Sequence, residues 1–301
     1  MPQHNNYYKE SIQKECMGKI GIIGYGVVGE AVAHGFREKN PSHKIKIYDK
    51  YKTRYNSLEK VVKDSDFSFV CLPTPSSEKG IDISVMDDCI KEISEIDYNH
   101  DGILIIKSTI VPGTTRNYSK QYPQLKFAFS PEFLTEANYL KDAPNPDRIV
   151  IGADDKIIGS WVYDLFVEDF SNVPIFRTDT VTAEMAKYAP NCFLAAKVMF
   201  ANEMSDVCEK LGIKWDDVKE MMLADRRIGQ SHLDVTPERG FGGKCFPKDV
   251  MALIGYAKEL CVETPILETI WQRNLEIRKE KDWKKIPGTS PENVNSYPTK
   301  E

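Results

Sequence analysis

Residues 19–49, KIGIIGYGVVGEAVAHGFREKNPSHKIKIYD, leave the chain little choice of fold. A short apolar run passes through a glycine turn into a segment with Ala and Phe on one helical face, then through a polar loop into a second apolar run. That is a complete βαβ unit, the building block of an α/β sheet. Gly24, Gly26 and Gly29 spell G-x-G-x-x-G at the strand-to-helix junction. The first glycine suits a tight turn, the second lets a pyrophosphate approach the backbone, and the third lets helix and strand pack closely. Asp49 follows Gly29 by twenty residues, at the end of the second strand. A carboxylate there accepts hydrogen bonds from ribose hydroxyls and repels a 2′-phosphate. This favours NAD over NADP, although Lys50 and Arg54 pull the other way. A glycine-rich turn in a non-binding α/β domain is the bland alternative.

Five more apolar runs follow at βα spacing: 66–73, 102–109, 126–131, 148–152 and 173–178. Runs this apolar read as strands covered on both faces, so the expected fold is a Rossmann-type, doubly wound parallel sheet. Polar residues gather at their C-terminal ends: Thr74, Ser108, Thr109 and Glu132. Ligands of open α/β sheets bind at that edge, yet any of these residues taken singly serves equally as a helix cap or turn former.

From Thr180 the periodicity becomes helical, with a long apolar stripe that ends at Gly212, a C′ glycine. Shorter helices are expected at 215–224, 246–260 and 265–282. The expected organisation is therefore an extension over 1–17, a dinucleotide domain over 18–178, an all-helical domain over 179–282 and a flexible tail over 283–301. Lys187 and Asn191, four residues apart, share one face of the long helix, and Pro190 between them removes a backbone hydrogen bond. That face offers a site or, equally, a solvated surface. Met185, Ala189, Phe193, Met199, Phe200 and Met204 are too many apolar residues for one face, so a homodimer is expected.

A net charge of −5 with scattered Lys and Arg supplies no basic footprint for nucleic acid or an anionic membrane. No stretch has the roughly 18 apolar residues needed to span a bilayer, and the N-terminus has no apolar signal core, so the cytoplasm is expected. Seven cysteines show no C-x-x-C pair and no ligand-like grouping with the five histidines. Neither a disulfide framework nor a metal site is expected.

One cysteine stands apart, in RGFGGKCFPKDV at 239–250. Placed just ahead of a Pro-started helix, Cys245 meets backbone N–H groups that favour thiolate, lowering a thiol from about 8.5. Asp249, four residues on, shares its helical face and could hold a water over the sulfur. The window alone fits a structural cysteine just as well.

Taken together, GIIGYGVVGEA, CLPTP, KSTIVPGTT, SPEFLTEA, PDRIVIG, AEMAKYAPNCFLA, DRRIG and GFGGKCFPKD resemble, in order, the nucleotide-sugar dehydrogenase family. The likeness runs from about Gly18 to Arg278. It implies an NAD-dependent oxidation of a sugar alcohol to a carboxylate in two hydride steps. Cys245 is then the nucleophile that holds the aldehyde as a thiohemiacetal and later a thioester. Lys187 stabilises oxyanions, Asn191 adds a donor, Asp249 handles water and Glu132 is the candidate base for hydrolysis. Thr109 and Glu136 fall on active-site positions as well. The implied cofactor set is Gly24, Gly26, Val27, Val28, Gly29, Asp49, Thr74, Ser108, Thr109 and Glu136. For the substrate, the likeness adds Phe133, Leu134, Arg227, Phe241, Gly242 and Lys248, with Arg227 acting across a dimer interface in several relatives.

Phe246 after the cysteine and Arg148 in PDRIVIG point to the UDP-glucose branch over the GDP-mannose branch. Pro190 and Lys244 depart from the usual family residues. Family members also continue into a second nucleotide-binding domain, so a separate chain supplying it is an expected partner. Two other readings stay open: a β-hydroxyacid-type dehydrogenase, which needs no cysteine nucleophile, and an inactive NAD-binding subunit.

Overall fold

The computed structural model describes residues 18–55, 57–77, 80–96, 102–135 and 138–286. The expected extension, Glu136 and residues 287–301 lie outside these. The chain opens with β1 (Lys19–Ile23), α1 (Val27–Lys39), β2 (Lys44–Tyr48), α2 (Leu58–Lys63) and β3 (Phe67–Val70). A small hairpin of β4 (Ser76–Ser77) and β5 (Gly80–Ile81) precedes α3 (Ser84–Glu95), β6 (Ile103–Ile106), α4 (Thr114–Gln121) and β7 (Lys126–Phe129). Then come α5 (Tyr139–Asp142), β8 (Ile149–Gly152), α6 (Lys156–Asp169) and β9 (Ile175–Thr178). The helical part consists of α7 (Thr180–Leu211), α8 (Trp215–Leu223), α9 (Cys245–Glu259) and α10 (Pro265–Ile277).

Packing divides the described residues into two units: 18–73 with 83–187, and 74–82 with 188–286. The expected boundary near 178–180 thus moves into α7. Its first turns belong to the sheet, because Ala183 packs in the sheet core and Glu184 accepts hydrogen bonds from the N–H groups of Gly113 (2.5 Å) and Thr115 (2.8 Å) at the start of α4.

In the first unit the sheet order is β2-β1-β3-β6-β7-β8-β9. Side chains alternate between its faces, as period 2 demands. Ile20, Ile22, Phe67, Phe69, Ile103 and Ile105 pack with Phe36 of α1 and Phe166 of α6. Val70, Leu104 and Ile106 point the other way, against Val61, Ile90 and Tyr118. One expectation fails: β8 runs antiparallel to β7, and β9 follows β8 in parallel. The β7–β8 connection therefore needs no crossover and turns back at the sheet edge where β7 ends. Glu132 and Phe133, three and four residues past β7, thus follow the C-terminal end of that strand.

The second unit has two cores. Tyr188, Ala195 and Val198 of α7 pack with Val250 and Leu253 of α9, with Phe241, and with the hairpin's Ile81. Further along, Ala201 and Cys208 of α7 meet Trp215 of α8 and Leu233, and the Trp215 indole donates to the Leu233 carbonyl at 2.9 Å. The expected tail begins too early at 283: Trp283 is buried against Trp271, their ring centroids 5.5 Å apart.

Candidate active site

The glycine turn assigns a separate job to each glycine. Gly24 adopts φ +90°, and a Cβ there would lie 2.5 Å from the Cys71 carbonyl oxygen. A Cβ on Gly29 would lie 2.0 Å from the Gly24 carbonyl oxygen, so only glycine lets α1 close on the strand end. Gly26, the N-cap of α1, has extended backbone, and nothing lies within 4 Å of where its Cβ would be. Open space beside a helix N-terminus, bounded by Val27 and Val28, fits a dinucleotide pyrophosphate. Asp49 at the end of β2 accepts from the N–H groups of Tyr25 (2.8 Å) and Tyr51 (3.0 Å), which fixes its carboxylate beside the turn.

Ser108 and Thr109 follow β6 and are buried. The Ser108 hydroxyl donates to the Leu72 carbonyl at 2.7 Å, so part of its role is to hold the loop after β3. Lys187 of α7, 5 % exposed, donates to the Glu132 carbonyl (2.7 Å) and carboxylate (2.9 Å). The second Glu132 carboxylate oxygen accepts from the Leu134 N–H at 3.0 Å. Glu132 is thus ion-paired in a mostly buried setting, where removing one partner strands the other's charge. The Phe133 ring lies beneath the Arg148 guanidinium, 3.7 Å from its centre.

Sequence reading passed over Lys107. Its ammonium, 9 % exposed, donates to the Pro131 carbonyl at 3.1 Å and helps set the 131–134 segment. Burial pushes its pKa down to about 8, with Lys187 adding to the shift while Cys71 and Glu132 oppose it. The signal was a lone cation closing the apolar run ILIIKST. Glu184 was passed over for a similar reason, since a glutamate on a helix reads as solvated.

In the second unit, Thr74 is buried ahead of the hairpin. Asn191 donates to Asp249 at 2.6 Å, and Lys248 donates to the other Asp249 carboxylate oxygen at 2.6 Å. Asp249 is 1 % exposed, so these two donors compensate an otherwise isolated buried carboxylate. Lys248, expected on substrate, is itself buried in this pair. Cys245 is the first residue of α9, one turn before Asp249, and Pro247 takes the third helical position, where an N–H has no intrahelical partner.

Among the described cysteines, Cys71, Cys89 and Cys192 are buried, and desolvation holds each thiol up near 12. Such thiols stay protonated and inert. Cys245 is only half-buried. Phe241 spends its ring in the core beside Trp271, leaving its backbone to shape the loop before Cys245. Arg227 sits on an exposed turn, where it donates to Asp225 through Nε at 2.9 Å and through Nη2 at 2.5 Å. No group of three or more His, Cys, Asp or Glu side chains among the described residues is placed to hold a metal. No described helix is long and apolar enough to cross a membrane.

Residues 38–168 match the family model described as the UDP-glucose/GDP-mannose dehydrogenase family, NAD binding domain, and residues 181–276 match its central domain. The chain is 37 % identical over 221 residues to a UDP-glucose 6-dehydrogenase of Rickettsia bellii, covering 71 % of this chain and 50 % of the relative. It is 34 % identical over 232 residues to a GDP-mannose 6-dehydrogenase of Pseudomonas aeruginosa, covering 72 % and 52 %. The chain therefore spans about half the length of these curated relatives. A solved UDP-glucose dehydrogenase from the archaeon Pyrobaculum islandicum superposes with a TM-score of 0.77 at 28 % identity, covering 88 % of this chain and 69 % of that one. Two domain models of one family cover most of the chain: the chain belongs to the UDP-glucose/GDP-mannose dehydrogenase family.

Proposed function

We propose that this chain oxidises the C6 alcohol of a nucleotide sugar, UDP-glucose by preference, to the carboxylate, with NAD⁺ as acceptor. The observation that carries the two-step chemistry is Cys245 at the head of α9, half-buried, whereas Cys71, Cys89 and Cys192 are buried with their thiols held up. A dehydrogenase that stops at one hydride has no use for such a thiol. Arg148 on Phe133 and the UDP-glucose dehydrogenase relatives favour that substrate.

The glycine turn would hold the pyrophosphate of NAD and Asp49 its adenosine ribose, and the bound cofactor would supply a hydride acceptor for each oxidation. In the first, the alcohol loses a hydride and a proton to give the aldehyde, and Lys187 steadies the alkoxide. The Cys245 sulfur adds to the aldehyde carbon, and the carbonyl oxygen takes up the proton, forming a thiohemiacetal. Loss of a second hydride and proton leaves a thioester. Water adds to its carbonyl, the C–S bond breaks, and acid and thiol are released. Glu132 is the base for that water, Asp249 orients it, and Asn191 donates to the oxyanion. Per sugar, one water and two NAD⁺ give one carboxylate, two NADH and three protons.

The active form is a homodimer. Phe193, Phe200, Val207 and Leu211 form an exposed stripe along α7 in the second unit, whereas Met199 and Met204 of the same helix pack inward. The expected crowd of apolar residues thus sorts into a core face and a face left for a partner.

The test is product stoichiometry with limiting UDP-glucose: two NADH and one acid per sugar are expected. Cys245→Ala should form no acid and still bind NAD. One NADH per sugar, or full acid production by that variant, overturns the reading.

A further inference from the structure

The backbone between Arg239 and Gly243 makes an unusual demand. Arg239, Gly240 and Gly243 all have positive φ, at 59°, 52° and 73°, and the segment joins no strand or helix. Its polar backbone groups are answered by side chains from distant parts of the second unit. Asn202 of α7 accepts from the Gly240 N–H at 3.2 Å. Asn274 of α10 accepts from the Phe241 N–H at 2.7 Å and donates to the Phe241 carbonyl at 3.0 Å. Arg278 donates to the Arg239 carbonyl at 3.1 Å, and Asp282 accepts from the Gly243 N–H at 3.0 Å.

The fit leaves no slack. Asn274 and Asn202 are 0 % and 1 % exposed. A Cβ on Gly240 would sit 2.2 Å from the Asn274 side-chain oxygen, and one on Gly242 would sit 2.4 Å from both Arg278 and Asp282. Two residues after Gly243 the chain reaches Cys245. A buried asparagine that reads both the N–H and the carbonyl of one residue fixes that peptide's position and orientation together. Burial makes any loss of those bonds costly, so the loop has one shape.

We infer that Asn274 and Asn202 are positioning residues for Cys245: by dictating the backbone of residues 239–243 they set where its sulfur stands at the head of α9. The inference rests on the nucleophilic role proposed for Cys245. Neither asparagine touches reacting atoms, and each acts through the loop.

The two use their amides differently. Asn274 holds the loop through both its oxygen and its nitrogen. Asn202 meets the loop and the Arg239 guanidinium (2.8 Å) through its oxygen alone, while its nitrogen returns to Val198 of its own helix at 2.8 Å. Aspartate keeps the oxygen and loses the donor. Asn202→Asp should therefore preserve the loop, whereas Asn202→Ala and Asn274→Asp should release it.

The test is the rate at which iodoacetamide alkylates Cys245 in the full chain, read on the Cys245 peptide by mass spectrometry between pH 6 and 9, with thermal melting alongside. Asn202→Ala and Asn274→Asp are expected to slow alkylation at pH 7 by about tenfold and to move its pH dependence, as for a sulfur leaving a helix N-terminus. Asn202→Asp should stay within about twofold of wild type by the same argument. In turnover, the two damaging variants should lower kcat by roughly tenfold to a hundredfold with little change in KM, the cost of a misplaced nucleophile.

If both damaging variants melt cooperatively and alkylate like wild type, the inference is wrong. Should Asn274→Asp fail to fold, the two Asn202 variants decide alone: equal slowing in both overturns the acceptor argument. Alkylation needs no sugar, so a wild-type chain that oxidises no nucleotide sugar would sink the proposed function while leaving this result readable.

Discussion

One methyl group, added at Gly26 or at Gly29, separates what the glycine turn does for the fold from what it does for the cofactor. At Gly29 the new carbon would stand 2.0 Å from the Gly24 carbonyl oxygen and 3.1 Å from the Ile22 side chain. The first contact is more than 1 Å inside normal carbon–oxygen separation, and a backbone carbonyl cannot swing away. α1 must lift off β1, an overpacking cost of about 1–3 kcal/mol or more. Gly29→Ala should therefore lower the urea midpoint of the cofactor-free chain, with weaker NAD binding as a by-product.

At Gly26 the new carbon meets nothing within 4 Å, and φ −84° with ψ −161° suits any residue. Losing a glycine N-cap costs a few tenths to about 1 kcal/mol, and the stiffer unfolded chain returns a similar amount. The stability of Gly26→Ala should stay within about 1 kcal/mol of wild type on that balance. NAD is another matter, since the methyl occupies the space its pyrophosphate needs. Loss of one charge-assisted hydrogen bond, about 1.5–3 kcal/mol, corresponds to a roughly tenfold to 150-fold rise in Kd. Calorimetric titration with NAD and urea denaturation of both variants make the assay. Wild-type NAD affinity in Gly26→Ala would refute a pyrophosphate at this turn, and wild-type stability in Gly29→Ala would refute the packing argument.

Lys107 offers a pH test. Its folded pKa, near 8, lies below the unfolded value of 10.5, so between those pH values the unfolded chain binds more protons and stability rises with pH. Wild type should gain up to about 3 kcal/mol relative to Lys107→Met between pH 7.5 and 10.5, seen in paired urea curves; parallel behaviour of the two proteins would show that folding does not lower the Lys107 pKa. For the α7 stripe, Phe200→Glu should convert a dimer to monomer in sedimentation at micromolar concentration, because a charge there is desolvated on association. A wild-type monomer under those conditions would remove the stripe's proposed partner.

Much of this was legible in the chain itself. Near-continuous apolar runs marked β1, β3, β6 and β7, and a 3.6-residue period marked α7 up to Gly212, whose φ of +71° ends it as expected. Glycine spacing located the turn, and ordered motifs located Cys245, Lys187 and Asn191. These signals are local, because backbone geometry repeats over a few residues and side chains must follow it. What the local signals could not carry was direction and partnership. Whether β8 runs with or against β7 depends on how the nineteen residues between Phe129 and Ile149 fold back, and strand composition is the same either way. Lys187 and Glu132 lie 55 positions apart, Asn191 and Asp249 lie 58 apart, and Asn274 and Phe241 lie 33 apart. The sequence by itself determined the elements, the glycine turn and the identity of the chemical groups. Only the tertiary structure decided that the Glu132 carboxylate is met by Lys187, that Asp249 is buried between two donors, and that two asparagines hold the loop before Cys245, since pairing across long loops depends on which surfaces are buried together rather than on any residue's neighbours in the chain.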